Sequence, residues 1–86
     1  MTAMERIAAI TKIVTVLQPY LGATMAEAST RAHCEKLGIA GQVVSVEQLE
    51  ALLAKLGSGL SVFVGREQSV KVMSEIRNSL GVGRPA

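Results

Sequence analysis

His33 and Cys34 are the residues of this chain that could serve as a nucleophile or a soft metal ligand. They are adjacent in a helical pattern, so their side chains leave the helix about 100° apart and cannot form a Cys–His pair by themselves. The chain holds one His and one Cys, so a zinc site within it would need carboxylates to complete the shell. Both are read as structural residues at a packing boundary. No catalytic, cofactor-binding or metal-binding residue is assigned, and the chain is read as a non-enzyme.

The glycines at 57, 59 and 65 do not make a phosphate loop. Such a loop closes on Gly-Lys-Ser/Thr after a strand, and here Leu60 follows Gly59. Gly57, Ser61 and Gly65 form a small-xxx-small row, which suits a tight internal helix crossing and is a secondary candidate for an intersubunit contact. Arg66, Gln68, Ser69 and Lys71 could open the recognition helix of a helix-turn-helix. That gives the alternative function, a small DNA-binding regulator. Against it, Glu67 and Glu75 dilute the charge, and the motif needs a turn of about 3–4 residues.

Bulk properties narrow the class. The 86 residues are 49% apolar but only 2% aromatic, with Tyr20 and Phe63 as the two aromatic side chains. A core of Leu, Ile, Val, Met and Ala favours packed helices over a sheet, which leans on aromatic and β-branched residues. Charged residues make up 19%, below the roughly 25% of ordinary soluble domains. With a mean hydropathy of +0.36, apolar surface is expected to remain for a partner. A net charge of +2, scattered along the chain, argues against a nucleic-acid partner. The lone cysteine and the absence of a signal-peptide pattern predict a reducing, cytoplasmic setting. No stretch approaches the roughly 20 apolar residues of a membrane span.

The elements follow from periodicity. The stretch from Ser45 to Gly65 is the organising helix, with a Ser45–Gln48 capping box and a Val44–Leu49 staple. Leu49, Leu52, Leu53, Leu56, Leu60, Phe63 and Val64 recur at helical spacing on one side. The reverse face (Ala51, Ala54, Ser58, Ser61, Val62) is small and nearly uncharged, so contact is expected on both sides. Gly57 and Gly59 are poor helix formers, and a break there would give five or six shorter helices.

The first helix is expected from Ala3 to Gln18, capped by Thr2 and Glu5 and ended or kinked by Pro19. One apolar seam runs through Ala3, Ile7, Ile10, Val14, Leu17 and Leu21. A second runs through Ala9, Ile13, Val16 and Tyr20, and is assigned to a partner contact. The second helix is expected from Thr24, in a capping box with Glu27, to Leu37. Its wet row is Glu27, Arg31 and Glu35, its shallow apolar side is Met25, Ala26, Ala28, Ala32 and Leu37, and Gly38–Ile39 forms a Schellman ending. Val43 and Val44 are expected to dip into the core from the loop that follows. The last helix is expected from Arg66 to Leu80, apolar along Val70, Val72, Met73, Ile76 and Leu80. The helix starts at Thr2, Thr24, Ser45 and Gly65 are almost evenly spaced, which is read as even helix length and not as duplication.

The resulting expectation is an all-α, compact antiparallel bundle of four helices over residues 1–80, with a flexible tail at 81–86. A small helical domain without evident chemistry resembles adaptor domains in plan. The resemblance extends to death-fold-like modules only if the third helix breaks at Gly57–Gly59. The expected function is a non-enzymatic protein–protein interaction module, an adaptor, scaffold or regulatory domain. Its expected partners are copies of itself, another protein, or both.

Overall fold

The fold comes from a computed structural model, which describes residues 4–81. Four helices carry it: α1 (Arg6–Leu21), α2 (Ala23–Lys36), α3 (Val46–Val64) and α4 (Arg66–Leu80). Two short strands, β1 (Met4–Glu5) and β2 (Val43–Val44), pair antiparallel, with Met4 opposite Val44 and Glu5 opposite Val43. Among the described residues the molecule is an all-α helical bundle with a small two-stranded sheet. Thr2, Ala3 and residues 82–86 lie outside the described residues, and so does most of the expected tail.

α3 forms as its caps dictate. Ser45 Oγ accepts from the Gln48 N–H, and Gln48 Oε1 accepts from the Ser45 N–H. The helix runs unbroken through Gly57 and Gly59, so neither the five- or six-helix version nor the death-fold arrangement that needs it is present. The Gly57 carbonyl accepts from Ser69 Oγ at 2.9 Å. A Cβ at Gly57 would meet Met73 Cγ at 3.3 Å. The glycine that costs helix propensity thus admits close approach of α4.

Several boundaries differ from expectation. α1 starts at Arg6, because Met4 and Glu5 pair with β2 and the Arg6 N–H and Nε donate to the carbonyls of Gln42 and Gly41. Pro19 neither ends nor interrupts α1, which continues to Leu21. One donor is lost near the end of the helix, and Gly22 N–H still closes onto the Gln18 carbonyl at 2.8 Å. α2 is capped by Gly22 and not by Thr24. Its ending is the Schellman motif: Ile39 N–H reaches Cys34 O, Gly38 N–H reaches Glu35 O, and Ile39 is buried. Only Val44 enters the core. Val43 faces outward, as the alternation of a strand requires.

The core takes Leu49, Leu52, Leu53, Leu56 and Leu60 from α3 and Val72, Ile76 and Leu80 from α4. α1 contributes Ala9, Ile10, Ile13 and Leu17, and α2 contributes Ala26, Thr30 and Cys34. Thr30 is tolerated there because its hydroxyl donates to the Ala26 carbonyl at 2.8 Å. Ile7, Met25, Phe63 and Val70, expected on apolar seams, are exposed. Ala51, Ala54, Ser58 and Val62 are exposed as well, so α3 is contacted along one side only.

Beyond the even helix length that was expected, the α1–α2 and α3–α4 hairpins share a joint geometry and the burial pattern of their first helices. Advancing by half of its 86 residues carries Ala9, Ile10, Ile13 and Leu17 onto Leu52, Leu53, Leu56 and Leu60, all buried. The same step carries Tyr20 onto Phe63, Gly22 onto Gly65, Ala26 onto Ser69, and Leu37–Gly38 onto Leu80–Gly81. The joints agree in conformation: Gly22 has φ 84 and ψ 157, and Gly65 has φ 92 and ψ 158. Each joint glycine donates to the carbonyl four residues back and accepts from the N–H four residues on. Gly38 and Gly81 match too, with φ 72 and 73. The likeness does not extend along α2 and α4, where Val72 and Ile76 are buried and the residues in the corresponding places, Ser29 and His33, are half-buried.

Candidate interaction surface

The second seam of the first helix, expected to meet a partner, mostly faces inward. Ala9 and Ile13 are 1% and 0% exposed within the single chain, and half-buried Val16 and Tyr20 pack against the same core. A partner has no access to Ala9 or Ile13 in this fold, because α1 meets both α2 and α4. The small-residue row is divided: Gly57 and Ser61 are half-buried, Gly57 against α4, while Gly65 is exposed at the joint.

His33 is half-buried and Cys34 buried, on different sides of α2. Burial pushes the Cys34 thiol up, against the opposing pull of Arg6 and Arg31. A thiol held protonated is a poor nucleophile. Among the described residues no three His, Cys, Asp or Glu side chains gather where a metal ion could sit. No described helix is long and apolar enough to cross a membrane. The α3–α4 joint is the single residue Gly65, shorter than a helix-turn-helix turn, and Ser69 is buried with its hydroxyl turned onto Gly57.

α2 and α3 meet less closely than α1 and α4. A groove along α2 and α3 is lined by Leu17, Leu21, Met25, Leu56, Leu60 and Phe63, with Gly59 and Ser29 at its sides. Met25 is 51% exposed, Phe63 59% and Val62, beside it on α3, 89%. At Gly59 a second hollow continues along the same two helices, lined by His33, Lys36, Leu37, Lys55 and Ser58. The groove is therefore apolar at one end and basic at the other. Its apolar end was legible as leucine and phenylalanine periodicity, but that pattern marks a stripe without saying which of its members a neighbouring helix covers.

The two halves explain where the opening lies. On the α1/α4 side, Tyr20 is covered by α4 and its hydroxyl donates to Glu75 Oε1 at 3.2 Å. Burial and the Glu75 carboxylate hold the phenol above its ordinary pKa. On the α2/α3 side the residue equivalent to Glu75 is Ala32, too short to reach Phe63's edge of the groove. No protein-family model, curated protein or solved structure matches this chain.

Proposed function

We propose that this chain is a non-enzymatic protein–protein interaction module, an adaptor, scaffold or regulatory domain, whose contact face is the α2/α3 side. One observation carries the reading: Met25 and Phe63 stand exposed in the lining of a groove floored by leucines. Large apolar side chains gathered on one face favour burial by a partner, at about 25 cal/mol per Å² of apolar area removed from water. Copies of this chain are among the partners such a face admits.

Selection from a random-peptide display library on the folded protein, with counter-selection on Met25→Glu/Phe63→Glu, tests the reading. Peptides should be enriched that bind the wild type and lose the double variant, while the variant's helical circular dichroism stays intact. If no enriched peptide distinguishes the two proteins, the α2/α3 face is not a binding face.

A further inference from the structure

We infer that the α2/α3 groove receives an acidic amphipathic helix of a partner protein, an inference that rests on the interaction-module reading above. The shape comes first. Leu17, Leu56 and Leu60 lie in the lining of the groove together with the exposed Met25 and Phe63. That is the form in which an amphipathic helix inserts anchors at i, i+3 or i+4, and i+7. Midway along the groove stands Gly59, where an added Cβ would meet nothing within 4 Å. The absent side chain leaves room for a partner's backbone at the point where the apolar end gives way to the basic end.

Charge complementarity selects the partner. His33, Lys36 and Lys55 line the far end, and among the described residues no carboxylate lines either stretch of the groove. Among the described residues Lys36 and Lys55, like most of the chain's cations, have no ion-pair partner. A helix with apolar anchors over Met25 and Phe63 and glutamates over Lys36 and Lys55 satisfies both ends at once. A nucleic acid would not, since two lysines offer few phosphate contacts and the rest of the groove is apolar.

The test is a titration of the isotope-labelled full chain, followed by NMR, with two capped helical peptides about four turns long. Both carry leucines at i, i+3, i+4 and i+7. One has glutamates in its last two turns and the other has lysines there. The glutamate peptide should shift the amides of Met25, Gly59 and Phe63. It should bind at least ~10-fold more tightly than the lysine peptide, about 1.4 kcal/mol. Lys36→Glu/Lys55→Glu should reverse that order. Equal affinity of the two peptides, shifts on another face, or no binding of either overturns the inference. If display selection still yields peptides that Met25→Glu/Phe63→Glu loses, the module reading survives and only the acidic helix falls; if it yields none, both fall. A chain that dimerises through Met25 and Phe63 and takes neither peptide places a second copy in the groove, which also overturns the acidic helix.

Discussion

Tyr20 and Phe63 hold equivalent places in the two halves of the chain, yet one is tied down and the other stands free. Tyr20 is half-buried and donates to Glu75 at 3.2 Å, whereas Phe63 is 59% exposed. The difference arises in the second helix of each half. α4 buries Ser69, Val72, Ile76 and Leu80, and α2 buries only Ala26, Thr30 and Cys34. α2 thus brings shorter side chains to the core, and the side it shares with α3 is the less closed one. The two hairpins share their joint geometry, and the smaller buried side chains of α2 leave the α2/α3 side less closed than the α1/α4 side.

The joints make the first prediction. Gly22 and Gly65 lie at positive φ with extended ψ, a region essentially confined to glycine. A Cβ has room at both, so the cost of Gly22→Ala or Gly65→Ala is backbone strain, about 1–3 kcal/mol each. Gly59→Ala should act oppositely, because the site is helical and open, and gain up to about 1 kcal/mol. Urea unfolding of the three variants checks the signs. A neutral Gly65→Ala would mean that the joint adopts another conformation in solution.

Leu56 is 4% exposed in the middle of α3. Leu56→Ala should cost about 2–5 kcal/mol, as deletions from close-packed cores do. For a domain this small that is a large share of total stability. Unchanged thermal unfolding would show that Leu56 is not packed in the core.

What the sequence made legible follows physical range. Caps and endings are local, so Ser45–Gln48 and Gly38–Ile39 were readable from a few residues. The leucine register of α3 overrode its two glycines because five buried leucines outweigh a propensity cost of about 1 kcal/mol each. Burial is not local. Ile13 and Phe63 both lie on apolar helical seams, and only the placement of α4 and α2 decides that one is core and the other is surface. The strand pair escaped notice for the same reason: two residues at Met4 carry no period, and their partners lie beyond α2. The likeness of α1 to α3 was not legible because pairs such as Ile13 and Leu56 share burial without sharing identity.

Glu50 and Arg77 join α3 to α4 by two hydrogen bonds, at 2.6 and 3.0 Å. Bonding from Arg77 holds the Glu50 carboxyl below its ordinary value, and Glu50 in turn raises Arg77. A carboxyl depressed by folding adds stability above its unfolded pKa and loses it as pH falls through the folded one. The contribution should therefore fade below about pH 4.5. The Glu50 side chain is 43% exposed, so solvent screening limits the pair to about 1 kcal/mol or less. Stability against pH for the wild type and Glu50→Gln should differ near neutrality and converge in acid. A difference that persists at the acid end would assign the effect to packing.

Cys34 is 4% exposed with its thiol pushed above the ordinary range by burial. Native protein should react with a thiol reagent at least ~10-fold more slowly than unfolded protein, since attack requires an exposed thiolate. Rapid labelling without unfolding would show that α2 opens locally.

The asymmetry between the two halves yields the last prediction. Tyr20→Ala removes a half-buried ring and its hydrogen bond to Glu75, and should cost roughly 1–3 kcal/mol, short of the 3–5 of a fully buried aromatic. Phe63→Ala removes a ring mostly in water already, and should stay within about 1 kcal/mol. In peptide binding the order should invert: Tyr20→Ala leaves the groove intact, and Phe63→Ala takes away part of its lining. Denaturant unfolding and peptide titration on the same two variants separate the roles. Should Phe63→Ala destabilise the chain as much as Tyr20→Ala, α2 must close over Phe63 in solution as α4 closes over Tyr20. The bundle would then be symmetric, and there would be no open face for a partner to enter.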